Sequence, residues 1–502
     1  MKISFKRRLL SNSEGCRLGL STIDTLSDDV LLCIFNSYRR TISCSQSFII
    51  SNGWGIWPWH KLVHVCRRWR RLVFAYPVYL DLRLRCKSKT HVQAALDLWP
   101  ALSLSIHATL GANVADEDDT IGALEHRDRI AEIHLRGLNH SQLEKCVALM
   151  QEPFPVLKSL ELMAVEGTKF VITDAFLGGS APLLQWIRFC DIGFPSLPKL
   201  LSSTGDLVRL HLFCIPMTGK GYISPDAIAT CLPVLTKLRS LTITFQQGSW
   251  PYPDPTDQLP PPSTYTVLPA LVNLRLEGPQ GYLEYIVDRI DAPLLKSGRL
   301  KIYDEPVFDT PRVPQFIHRA KTFKSLDKVD VYFAEKYIIA FLRSSIGPAK
   351  FRLSLPCSGF PVQVEIMEEI CAQWPPLVSR VKFLRLDDCF YSGHEAWRED
   401  VAPWLGFLRP FTAVQTLRLC GEAPVSHVAN VLGRLERKGA TEVLPTLSAI
   451  ELHSAEDVVL EASCLLEPFL VAREESEHPL VVDVGIQTCA CIDIQLRHDV
   501  RF

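Results

Sequence analysis

The pattern that most limits what this chain can fold into is L-x-x-L-x-L, which keeps returning after residue 130. LKSLEL (from Leu157), LQWIRF (Leu184), LVRLHL (Leu207), LRSLTI (Leu238) and LVNLRL (Leu271) carry it. So do LDKVDV (Leu326), VKFLRL (Val381), VQTLRL (Val414) and LSAIEL (Leu447). IAEIHL (Ile130) opens the series, while SGRLKI (Ser297) and KFRLSL (Lys350) are degenerate members. From Leu386 to Leu419 is 33 residues, and from Leu419 to Leu452 is again 33, with less regular intervals earlier.

A short alternating strand repeated at such a period is the mark of a solenoid, in which each strand is followed by a return segment and stacks on the next. The expected fold class is therefore α/β: a leucine-rich-repeat-like solenoid over residues 87–502, with parallel short strands and helical returns. Ser141 to Met150 and His427 to Gly439 read as two of those helices. The Asn or Cys that often follows the strand is mostly missing, with Cys389 one of the few matches.

In L-x-L the flanking apolar residues point to one side and the middle residue to the other, by the two-residue period of a strand. That middle position reads His134, Glu161, Arg188, His211, Thr242, Arg275, Lys301, Asp330, Ser354, Arg385, Arg418 and Glu451. Every one is polar, so the row is expected to line an exposed, concave, net-basic face of the solenoid. Arg188, His211, Arg275, Lys301, Arg385 and Arg418 are the expected partner-binding residues there, with Trp186 and Phe383 as aromatic anchors. A solvated sheet face with no partner is the plainer reading of the same row.

The first ninety residues follow a different period. TLSDDVLLCIF (Thr25 to Phe35) predicts a helix with Ser27 as N-cap and Asp28 and Asp29 at the positive end of its dipole. After Pro58, residues Trp59, Leu62, Val63, Cys66, Trp69 and Val73 recur at helical steps and predict a second helix. His60, Lys61, His64, Arg67, Arg68 and Arg71 fall on its other side as a solvated basic face. Nucleic-acid binding by that face is the less favoured alternative, because no wider basic footprint surrounds it.

Together these helices resemble the F-box, the module that docks on the Skp-type adaptor of cullin-RING ubiquitin ligases. LSDDVLLCIF (Leu26 to Phe35) and the VCRRW run (Val65 to Trp69) carry the resemblance, with Ser27 in place of the usual proline and a longer segment from Thr41 to Ile56. PVYLDLRL (Pro77 to Leu84) is similar to the exit of F-box proteins of basidiomycete fungi. The resemblance implies a module over 21–86 after a tail of 1–20. It makes Leu26, Leu31, Ile34, Phe35, Leu62 and Val63 the adaptor-binding residues, with Trp69 as an internal anchor. The partners implied are the adaptor, a cullin-RING ligase through it, and an unknown target protein on the solenoid.

The 502 residues carry 54 basic and 55 acidic side chains, so any basic patch is local. The sixteen cysteines are scattered without a C-x-x-C pair, which reads as reduced thiols rather than a disulfide framework or zinc site. MKISFKRRLL lacks the apolar core of a signal peptide, and Phe48 to Trp59 is too short to span a bilayer. A soluble protein of the cytoplasm or nucleus is expected, with no membrane or nucleic-acid partner.

No phosphate-binding loop, nucleophile elbow or H-E-x-x-H occurs, and the fourteen histidines are dispersed. We therefore expect no enzyme activity, no cofactor and no metal. ADEDDT (Ala115 to Thr120) reads as an acidic turn, and WPYPDPTDQLPPPS (Trp250 to Ser263) as a rigid loop. The expected role is a substrate receptor of a ubiquitin ligase; the alternative is a repeat scaffold that binds a partner without any ligase.

Overall fold

A computed structural model of the protein describes residues 23–44, 58–76, 83–86, 103–110, 114–217, 219–246, 265–304, 312–357, 359–390, 401–435 and 437–485. The tail of 1–20, most of the 41–56 segment and the proline-rich stretch from Trp250 to Ser263 lie outside these residues. The chain packs as two compact units, Met1–Leu84 with Ala95–Leu104, and Arg85–Ala94 with Ser105–Phe502.

The smaller unit contains helices α1 (Asp28–Cys44), α2 (Pro58–Val63) and α3 (Arg67–Ala75). Ser27 Oγ accepts the N–H of Val30 at 3.4 Å, which starts α1 as the sequence predicts. The single helix expected after Pro58 is instead two. Cys66 takes an extended backbone and its Sγ accepts the N–H of Trp69 at 3.5 Å, so it begins α3 and stands exposed, off the apolar stripe. Leu31, Leu32, Phe35, Leu62, Val63, Leu72 and Val73 form the core, with the Phe35 and Trp69 rings 4.7 Å apart. The basic face is partly internal: Arg68 donates to Asp28 Oδ1 at 2.6 Å and to the Leu26 carbonyl at 2.6 Å. Arg70 Nε donates to the Val63 carbonyl at 2.9 Å.

After β1 (Arg83–Cys86), the strands of the larger unit begin with β2 (Ser103–Thr109), β3 (Ile130–Leu138), β4 (Ser159–Ala164) and β5 (Trp186–Cys190). They continue as β6 (Arg209–Ile215), β7 (Ser240–Phe245), β8 (Asn273–Gly278) and β9 (Ser297–Ile302). From β3 to β9 each strand pairs in parallel with the next, in register along the L-x-L positions as far as β8. The returns between them include α4 (Val114–Leu124), α5 (His140–Leu149) and α6 (Gln280–Arg289). Asn139 and Gln142 form a reciprocal capping box at the start of α5. ADEDDT lies within α4 and is not a turn: Lys145 Nζ, 2.6 Å from Glu117 Oε1, gives its acidic run a counter-charge.

The expected order of repeats then breaks. β10 (Lys328–Ala334), β11 (Tyr337–Arg343) and β12 (Lys350–Pro356) form an antiparallel meander, and the sheet runs β9-β12-β11-β10. Only Glu335 and Lys336 separate β10 from β11, enough for a hairpin and far short of the dozen residues a parallel crossover takes. So KFRLSL pairs with SGRLKI, and LDKVDV, earlier in the chain, pairs onward with β13 (Phe383–Phe390). YIIAFLR, which the L-x-x-L-x-L series does not include, is the central strand of this insertion.

The parallel order resumes with β13, β14 (Thr416–Cys420), β15 (Ala449–His453) and β16 (Val481–Gly485). Their returns include α7 (Phe360–Gln373) before β13, α8 (Glu422–Gly433) after β14 and α9 (Glu456–Glu474) after β15. The helix expected from His427 to Gly439 is α8 followed by a separate turn of helix, Arg437–Glu442. Arg473 of α9 is fully buried and caps carbonyls, donating to Leu447 at 2.7 Å and Ala440 at 3.2 Å.

The core is the ladder of apolar residues flanking each middle position. Leu160, Ile187, Leu210, Leu241, Leu384, Leu417 and Ile450 are all fully buried. At about 1.5–3 kcal/mol for each such side chain, this ladder dominates the stability of the unit. The degenerate repeat SGRLKI has glycine in the ladder: Leu274 of β8 is in register with Gly298, which is in register with Phe351 of β12. A Cβ on Gly298 would stand 2.5 Å from Phe351 Cδ2. The missing leucine is replaced by the ring of a neighbouring strand.

Restoring bulk there should therefore harm the fold. Gly298→Ala is expected to lose about 1–3 kcal/mol in urea denaturation by overpacking. Adding Phe351→Leu should recover part of that loss, whereas Phe351→Leu alone should destabilise.

Candidate functional site

The side of the sheet opposite the leucine ladder carries the polar row. Across β3 to β8, His134, Glu161, Arg188, His211, Thr242 and Arg275 stand in register. The row continues as Arg299, Arg352, Phe341, Asp330, Arg385, Arg418 and Glu451. Lys301 and Ser354 are not in it. The pairing of Arg275 with Arg299, and of Arg299 with Arg352, places both two residues later, in the row of Glu277. A slip of two keeps the face but changes the neighbours.

Nor is the face uniformly exposed. Glu161, Thr242, Asp330 and Ser354 are buried, and the remaining members of the original row are half-buried. Side chains from adjacent strands, about 4.8 Å apart, fold over one another, and long arginines cover the shorter acids.

Much of the expected positive charge is paired with acids on the same face. Glu277 Oε1 lies 2.8 Å from Arg275 Nε and 2.9 Å from Arg299 Nε, with only 3% of its side chain exposed. Arg385 pairs with the wholly buried Asp387, Arg418 with Glu451, and Arg343 with Asp330. Arg188 lies 3.6 Å from Glu161. R-L-E at Arg275 and R-L-D at Arg385 put the carboxylate two residues after the arginine, on the same face. That spacing was visible in the sequence but lay outside the single middle position that was counted.

The cations lean on rings as well. Arg188 lies 5.1 Å from the centre of Phe213, Arg352 4.9 Å from Phe341 and Arg418 5.3 Å from Phe383. Lys301 sits 5.3 Å from Tyr337, and burial lowers its pKa against the pull of Glu277. Trp186 and Phe383 are half-buried on this face. Among the described residues, the buried Trp186 Nε1 and Arg188 Nε have no hydrogen-bond acceptor. What results is a lattice of guanidinium groups, carboxylates and rings, in which most cations have an acid or a ring beside them, and it supplies the arginine and aromatic side chains typical of protein-binding hot spots.

In the smaller unit, Leu31, Phe35, Leu62 and Val63 are buried in its own core, and Leu26 is half-buried. Ile34 is 42% exposed, and Val30, one turn earlier and not among the expected adaptor-binding residues, is 44% exposed. Among the described side chains of α1, this pair is the exposed large apolar surface.

Groups that the sequence did not mark as sites gather at two further places. His107 of β2 meets Glu132 and His134 of β3, and Cys190, Asp191 and Cys214 meet beside β5 and β6. Cys190 Sγ donates to Asp191 Oδ2 at 3.3 Å, and hydrogen bonding with Cys214 together with burial drives the Cys190 thiol pKa up. Both groups join residues from different strands, so neither has a short ligand spacing in the sequence.

His211 gives this face a pH dependence. Burial, reinforced by Arg188, Arg209 and Arg275, lowers its imidazole from 6.5 to about 4, and its Nε2 lies 3.0 Å from Ser240 Oγ. Between those pH values the unfolded chain binds the proton and the folded one does not, so stability falls as pH falls. Chemical denaturation at a series of pH values should show a loss of roughly 1–3 kcal/mol from this group across that window. His211→Gln should flatten that part of the profile; an unchanged slope would assign it to other groups.

No protein-family model matches the chain, and no curated protein matches it. Among solved structures the chain is similar to the leucine-rich repeat-containing protein LegL7 from Legionella pneumophila. Identity is 10%, the match covers 77% of this chain and 97% of that one, and the TM-score is 0.22. At that score the repeat fold rests on the strand pairing described above and not on the likeness.

Proposed function

We propose that this protein is a substrate receptor, a chain that joins a target protein to a Skp-type adaptor and, through it, to a cullin-RING ubiquitin ligase. The observation that carries the target-binding half is the lattice of paired arginines and rings on the polar face of the sheet. The tying of its arginines to carboxylates and rings favours a protein over nucleic acid, whose binding draws on unpaired cations. The docking half rests on the F-box resemblance of α1 and α3 and on Val30 and Ile34, an exposed apolar pair on a helix only 17 residues long. In this role the chain does no covalent chemistry; it raises the local concentration of its target.

A repeat scaffold that binds a protein partner without a ligase is the second reading, supported by the same sheet face. Co-expression with a Skp-type adaptor separates the two. A stoichiometric complex on gel filtration, lost on Ile34→Asp and weakened on Val30→Asp, is expected for the receptor. Leu31→Asp is a poor probe because it buries a charge in the module's core. Absence of any complex with the wild-type chain would leave the scaffold.

A further inference from the structure

We propose that His107, Glu132 and His134 form a binding site for a zinc-class divalent cation on the polar face of the sheet. One ligand atom from each lies within 4.8 Å of those of the others. Two imidazoles and a carboxylate are a donor set that suits zinc and other late first-row ions, with positions left open to water. The side chains are 32%, 27% and 12% exposed respectively, so an ion can reach them from solvent.

The strands themselves supply the arrangement. Glu132 and His134 are two apart on β3 and so share a face, and β2 lies beside β3 in the sheet. His107 Nε2 is 3.8 Å from Glu132 Oε2, near the roughly 3.4 Å that tetrahedral bonds of about 2.0–2.2 Å impose on neighbouring ligands. The rings of His107 and His134 now stack, 4.5 Å apart with 13° between their planes. Coordination must tip them so that their nitrogens converge.

A buried second layer prepares one of the two histidines. Glu161 has no exposed side-chain surface, and its Oε2 lies 3.0 Å from His134 Nδ1. Arg136 also donates to it, with its Nη2 3.1 Å from Oε2. As an ionised acceptor it requires the proton of His134 on Nδ1, which leaves a lone pair on Nε2. Carboxylate–histidine pairs of this kind orient metal ligands and strengthen them as donors. His107 needs one adjustment. Ser105 Oγ gives its single proton to Glu132 Oε2 at 2.6 Å, so His107 Nε2, 2.8 Å away, donates to Ser105. Metal binding moves the His107 proton to Nδ1 or releases it.

Cobalt(II) titration of the full-length protein, followed by visible absorption and by competition with zinc(II), tests this. The proposal expects one high-affinity equivalent with ligand-field bands of nitrogen and oxygen ligation. His107→Gln, on the most exposed of the three side chains, and His134→Ala should each weaken binding at least 100-fold. Glu161→Gln should weaken it about 10–100-fold without removing a ligand. Urea denaturation of each variant confirms that it is folded. Thiolate charge-transfer bands would move the site to the cysteines and overturn the proposal. So would wild-type protein that binds no cobalt, or folded His107→Gln and His134→Ala variants that bind it unchanged.

Discussion

In-register parallel strands stack like side chains directly over one another, and this single constraint organises the larger unit. On one side it builds the ladder from Leu160 through Ile450 that forms the core. On the other it brings Arg275, Arg299 and Arg352 onto three adjoining strands. Like charges placed opposite each other destabilise a sheet, so the arrangement stands only with counter-charges between them. Glu277 fits between two of these arginines, and the ring of Phe341 lies under the third. The buried acids on this face are the condition for stacking its cations.

That requirement also shapes what the face can do. Removing one partner of a buried ion pair is costly, whereas the pair itself contributes little net stability. The pairs at Asp387 and Glu277 therefore hold guanidinium planes and rings in place more than they stabilise the fold. Fixed arginines and aromatics lose little conformational freedom when a partner binds. At the β2–β4 end the same stacking sets two histidines beside two carboxylates, so chemistry different from that of the arginine rows arises from the same geometry.

Much of the fold was legible in the sequence because alternation is local. Leu-x-Leu marks a strand and its two faces without knowledge of its neighbours, and Ser27 marks the start of α1 by its own hydrogen bond. The reading failed where neighbours decided. SGRLKI looked degenerate because Phe351, fifty residues on, fills the space at Gly298. YIIAFLR went unread because its partners lie before and after it in an antiparallel meander that the repeat period does not include. Leu31 and Phe35 looked like docking residues, since an apolar helix face is written the same way whether it meets a partner or its own core. The α1–α3 packing gave that face to the core and left Val30 and Ile34 outside.

By itself the sequence determined the L-x-L strands, the start of α1, the apolar ladder and the polarity of the opposite face, because these follow from the two- and 3.6-residue periods of a single segment. Tertiary structure alone decided the strand order at β10–β12, the pairing of arginines with acids of neighbouring strands and the meeting of His107 with Glu132 and His134. Those depend on which strands lie side by side and in what register, and a shift of two residues or one hairpin changes every contact while leaving the local pattern intact.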